Sequence, residues 1–153
     1  MLGTSFKNLI LGFIAGAIAT VTIHELINYV LLQQGLFPRV PWSMEPVAAG
    51  PLAGMGIPQI ASDAFWGGLW GIVFALILGD KPMGSMTLKG AVMGMILPAF
   101  FGVFLLVPLI TGRFPPFFGG DFSMMLPALL ILAGFGSVTA WLYGFFSSGF
   151  RIP

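Results

Sequence analysis

The stretch "GFIAGAIATVTIHELIN", Gly12 to Asn28, decides how the rest of the chain must be read. Every fourth residue of it gives Gly12, Gly16, Thr20, His24 and Asn28, which share one face of an α-helix. The residues between are almost all apolar, so the pattern is a small-to-polar stripe on an oily helix. That setting suits a membrane. Lipid tails are as apolar as leucine, so helices associate there through close backbone contact and polar bonds, and small residues permit the close contact.

Working outward, the whole chain has this character. Its 153 residues are 58% hydrophobic and 7% charged, where a soluble domain carries about 25% charged residues. The mean hydropathy is +1.01. About 20 apolar residues cross a bilayer as a helix, and four segments qualify, 6–33, 61–79, 88–110 and 123–147. The expected fold class is therefore an all-α integral membrane protein, a four-transmembrane-helix bundle forming one membrane domain over 1–153. Ser5, Ser62 with Asp63, Thr87, and Asp121 with Ser123 stand where helix N-caps are needed. Pro98, Pro108 and Pro127 fall within spans, where proline kinks a membrane helix without breaking it. Lys7 before "NLILGFIAGAIA" imitates a signal peptide, but the apolar run continues to Leu32, so a retained span is expected.

The stripe recurs on each span. Gly67, Gly71, Ala75 and Gly79 form it in the second, and Gly90, Gly94, Pro98 and Gly102 in the third. Gly136, Ala140, Gly144 and Ser148 form it in the fourth. These glycines are the expected helix-packing residues. Spans one and three also share "GFIAG" with "GAVMG", each followed downstream by "QGLFP" or "TGRFP". Tandem duplication of a two-helix hairpin explains this, with copies lying parallel in the membrane. Chance recurrence in a glycine-rich chain explains it too. Under duplication Gly102 is the counterpart of His24, and its missing side chain leaves room for an imidazole.

His24 is the only histidine and Glu25 one of five acidic residues. With Asn28 and Thr20 they make a polar intramembrane cluster. Ionisable residues at such depth are costly and face other helices, so Glu25 must be neutral or paired. Its partner could be His24 of a neighbouring subunit, a polar residue of another span, or Arg39 reaching in from the first loop. That loop, Arg39 to Gln59, is proline-rich yet largely apolar, so it should lie on the membrane surface or across the mouth of the bundle.

Five functional classes fit unequally. A proton or ion relay uses His–Glu pairs, but the other spans add almost nothing polar beyond Ser137 and Thr139. "HELIN" begins like the zinc motif H-E-x-x-H, but Asn28 stands where the second histidine belongs. With one His and no Cys, no metal site is expected. Haem would need His24 with a second axial ligand, from a methionine such as Met93 or Met124 or from another subunit, and methionines in oily helices are usually packing residues. A pocket for a quinone, lipid or pigment could use Trp42, Phe114, Phe117 and Phe118, although aromatics there commonly anchor to the interface. The reading that needs fewest further residues is a non-enzymatic structural or accessory subunit, packed against itself as a homo-oligomer or within a larger membrane complex. The bilayer is then the expected partner, with no nucleic acid and no cofactor. A small transporter or proton-conducting oligomer using His24 and Glu25 is the alternative.

Lys7, Lys81, Lys89 and Arg151 fall on one side of the four spans, and Arg39 and Arg113 on the other. The excess puts both termini in the cytoplasm. At "GLFPRVPWSMEPV" and "GIPQIASDAFWGGLWGI" the chain resembles a group of small four-span bacterial membrane proteins of unknown function. The likeness rests on a PRxPWSM-P loop followed by FWGGLWGI, and on His24 with Glu25 in the first span. It covers the first half closely and the second loosely. It implies a bacterial inner-membrane protein with four spans, and no activity, cofactor or site residue.

Overall fold

The computed structural model describes residues 4–80 and 84–150. Four helices are long and apolar enough to cross a membrane: α1 (Phe6–Gln33), α2 (Gln59–Leu78), α3 (Met86–Thr111) and α4 (Phe122–Ser147). No strand joins them among the described residues, only an isolated bridge between Pro46 and Pro58. Of the cations used to orient the chain, Lys81 and Arg151 lie outside the described residues.

The helix starts refine the expected boundaries. Ser5 caps α1 by accepting from the Asn8 N–H, and Asp121 caps α4 by accepting from the Ser123 N–H. Ser62 and Asp63 cap nothing. Helix α2 begins a turn earlier, at Gln59, because the first loop supplies the missing acceptors. The Gln59 and Ile60 N–H groups donate to the carbonyls of Glu45 and Ser43, which satisfies donors that a helix start leaves open. Nor does Thr87 cap α3, which starts at Met86 behind Ser85 with no side-chain cap.

Two hairpins are built on the same contact. In the first, Gly12 and Gly16 of α1 lie against Gly71 and Gly67 of α2, so close that any Cβ there would enter the facing carbonyl. In the second, Gly90 and Gly94 of α3 meet Gly136 and Leu132 of α4 in the same way. Ala75 reaches the Gly12 position and Ala140 the Gly90 position, so the correspondence extends along the helices. This arrangement is what duplication of a hairpin would leave. Gly144 is buried on the same side of α4. Gly102 is buried too, but the space above it is filled by the Trp70 indole of α2, not by an imidazole.

The hairpins then pack together around Ala15, Phe74, Ala75 and Tyr143 at one level and Ala19, Ala99, Leu132 and Phe135 at the next. At the end of the bundle holding the α1 N-terminus, Asp80 accepts from the Ser5 N–H at 3.0 Å and the Asn8 amide at 2.7 Å. The buried Tyr143 hydroxyl donates to the Gly79 carbonyl at 2.7 Å. Both α1 and α3 widen to i→i+5 bonding, over Thr20–His24 and Met95–Leu106. In α3 the widening surrounds Pro98, which has no N–H to give to an ordinary ladder. Helix α4 runs through Pro127 unbroken.

Candidate functional site: a charged cavity under the first loop

The widened turn of α1 ends at His24, and Glu25 begins the α-helical turn that follows. Glu25 is completely buried, a position that costs several kcal/mol for an unpaired carboxylate, on the order of the penalty for any buried ion. Three donors converge on it. Arg39 Nη1 donates to Oε1 at 2.8 Å, the backbone N–H of Trp42 donates to Oε2 at 2.6 Å, and His24 Nδ1 lies 2.8 Å from Oε1. With guanidinium and amide both donating, the carboxylate is an acceptor, so His24 Nδ1 is the donor and Nε2 is the other ring position.

Arg39 holds a second carboxylate. Its Nη2 is bonded to Asp63 Oδ2, and the other oxygen of Asp63 accepts from Gln59 Nε2 at 2.8 Å. Gln59 and Asp63 are one turn apart on α2, which puts both side chains on one face. One arginine from the loop therefore joins α1 to α2. Trp42 makes the loop's second attachment. Its backbone sits at φ 47°, a left-handed conformation uncommon for a bulky residue. That twist aims its N–H at Glu25, while its indole Nε1 donates to the Val21 carbonyl at 2.9 Å. Val21 lies in the widened turn, where regular i→i+4 bonding is interrupted.

The network borders a cavity of about 680 Å³, walled by all four helices and by the loops on this side. His24, Arg39, Ser43, Gln59 and Asp63 belong to its polar lining. Val103 and Val107 of α3, and Ala128 and Leu132 of α4, form apolar walls. Phe114 and Phe118 also line it and stack on each other, with centroids 4.6 Å apart and planes inclined by 12°. Arg113 and Glu45 stand on exposed loop backbone at its rim. A volume of this size falls within the range of small-molecule sites, roughly 300–1,000 Å³. Among the described residues His24 Nε2 has no hydrogen-bond partner and is not a sealed polar atom, which leaves it open to the cavity that His24 lines.

The predicted cluster is thus split. His24 and Glu25 belong to the site, and Glu25 takes Arg39 of its own chain from among the partners considered. Thr20 does not belong: its hydroxyl donates to the Gly16 carbonyl at 2.9 Å and packs against Gly67. Asn28 is fully buried with neither amide atom bonded to any described residue, and Thr139 Oγ1 is likewise unbonded. Asp63 and Gln59 are the site residues that sequence reasoning missed, and Trp42 was considered for its ring and not for the backbone N–H that reaches Glu25. Asp63 was readable as an intramembrane acid once α2 starts at Gln59. Nothing local announced the left-handed Trp42. Among the described residues no three His, Cys, Asp or Glu side chains gather as a metal site.

Compared with family models, with characterised proteins and with solved structures, the chain matches none of them.

Proposed function

We propose that this chain is a non-conducting accessory subunit of a membrane, and that it works by binding at the cavity under its first loop. The observation that carries the reading is a cavity with a bonded polar wall that leads no further. Beyond His24 the interior passes to Ala19, Ala99 and Phe135, then to Ala15, Phe74 and Ala75, and its polar groups are separate: Thr20 bonded to the Gly16 carbonyl, Thr139 unbonded among the described residues, and Tyr143 bonded to the Gly79 carbonyl. A proton path needs a succession of polar groups across the membrane, and these separate groups do not supply one. The network also spends its charges on itself, which suits holding a shape better than passing an ion. In this reading the protein sits in a bacterial inner membrane with both termini cytoplasmic, so the cavity opens on the opposite face. Its lipid-facing surface serves contact with its own copies or with a larger complex.

Reconstitution into liposomes with a proton-sensitive dye inside tests this. The expected result is proton leakage equal to that of protein-free liposomes under an imposed potential, for both the natural chain and Glu25→Gln. Flux that depends on the protein and disappears in Glu25→Gln would replace the accessory reading with the transporter one.

A further inference from the structure

The chemistry of the cavity narrows what it can hold, on the reading above that it is a binding site. Its inner charges are already engaged. Both oxygens of Asp63 and both of Glu25 have donors, and two of the five N–H groups of Arg39 serve them. Two acids, Asp63 and Glu45, stand with two arginines, Arg39 and Arg113, around the space, so its lining carries no net positive charge to hold an anionic head. What the wall offers is hydrogen bonding rather than net charge. Neutral polar heads fit that best.

Two further features specify the head. His24 Nε2 faces the cavity while Nδ1 is held by Glu25. With Nδ1 donating to Glu25, Nε2 of the neutral ring is left to accept. A partner bonded there must donate, as a hydroxyl does. Across the space, the parallel Phe114 and Phe118 rings give a flat aromatic wall, and flat rings stack or pack edge-on against such a wall. Beside the cavity an apolar groove runs between α1 and α4 past Leu31, Leu36, Leu126 and Leu130, sharing Phe37 and Met124 with it. A hydrocarbon tail has somewhere to lie.

We propose that the cavity binds the ring of a quinol, a hydroxyl of which donates to His24 Nε2 while the ring packs on Phe114 and Phe118, with its tail in the α1–α4 groove. The test is titration of the full chain in mild detergent with decylubiquinol and decylubiquinone, followed by quenching of tryptophan fluorescence and by native mass spectrometry. Saturable binding of one decylubiquinol per chain is expected, with decylubiquinone binding more weakly for want of a donor. His24→Leu should weaken it about tenfold, the loss of one hydrogen bond to a ligand. Ala128→Phe, which fills the cavity from the opposite wall, should abolish it, and Val107→Phe does the same from α3 should the first variant fail to fold. Ring binding that survives both fillings, or no saturable binding by the natural chain, overturns the proposal. Selective retention of phosphatidylethanolamine or phosphatidylglycerol, lost in Ala128→Phe, would overturn the ligand class and leave the binding reading standing. With neither ring compounds nor lipids retained, both fail.

Discussion

The two hairpins share a contact and differ in what they do with it. Gly12 and Gly16 against α2 are matched by Gly90 and Gly94 against α4, so the close approach of backbones is common to both. One turn beyond, they part. Where α1 continues with Thr20 and His24, α3 has Pro98 and Gly102. Both helices widen there, but the α1 turn ends in a histidine facing a cavity, whereas the α3 turn makes room for Trp70. The two hairpins share their packing half, and only one of them carries a site in its other half. The lesson is that small-residue stripes report association, and the departure from the stripe reports the site.

The largest effect that tests this contrast is on the specialised half. Arg39→Ala should destabilise the protein by about 3–5 kcal/mol, because it leaves Glu25 buried without its guanidinium and strands Asp63 as well. Unfolding in mixed micelles with increasing SDS would measure it. A variant within about 1 kcal/mol of the natural protein, the scale of an exposed ion pair, would mean that the arginine only decorates the cavity. The shared half should respond evenly. Gly16→Leu and Gly94→Leu each push a side chain into a facing carbonyl, at Gly67 and Leu132. Each should cost about 1–3 kcal/mol, the range for overpacking, in the same unfolding measurement. Were one hairpin to accept leucine freely while the other did not, their equivalence would be superficial.

These contrasts show where sequence reasoning reaches and where it stops. The four spans and the paired glycines were legible because periodicity and residue size act locally along one helix. Glu25 was legible as a problem, since a carboxylate among apolar residues must be answered. Its answer was legible only in part. Arg39 stood among the candidates, but the Trp42 N–H depends on a left-handed turn that no residue type there demands. Asp63 was misread as a cap because the true start of α2, at Gln59, is set by carbonyls of a distant loop segment. The reading of Gly102 as space for His24 failed for a related reason: the pairing of hairpins, not the stripe, decides that Trp70 takes the gap.

The smallest expected effect lies at the helix starts, where the hairpins differ again. Helix α1 is capped by the hydroxyl of Ser5, which does not titrate, and α4 by the carboxylate of Asp121. The Ser123 hydroxyl and N–H both donate to Asp121 Oδ1, at 2.6 and 2.9 Å, and hold its carboxyl below the usual carboxylate range. A carboxyl lowered in the folded state contributes stability above its unfolded pKa of about 3.9, and that contribution is lost as pH falls through the folded value. Asp121 is one of five acidic residues, so the quantity to follow is the difference between the natural protein and Asp121→Asn. That difference should be constant near neutrality and shrink below about pH 4, as the natural cap is protonated and comes to resemble the amide. Ser5→Ala should cost about 1 kcal/mol with no such pH dependence. A difference curve for Asp121→Asn that stayed flat through pH 3 would show that the carboxylate's charge contributes nothing at this end of α4, and that the two caps are alike after all.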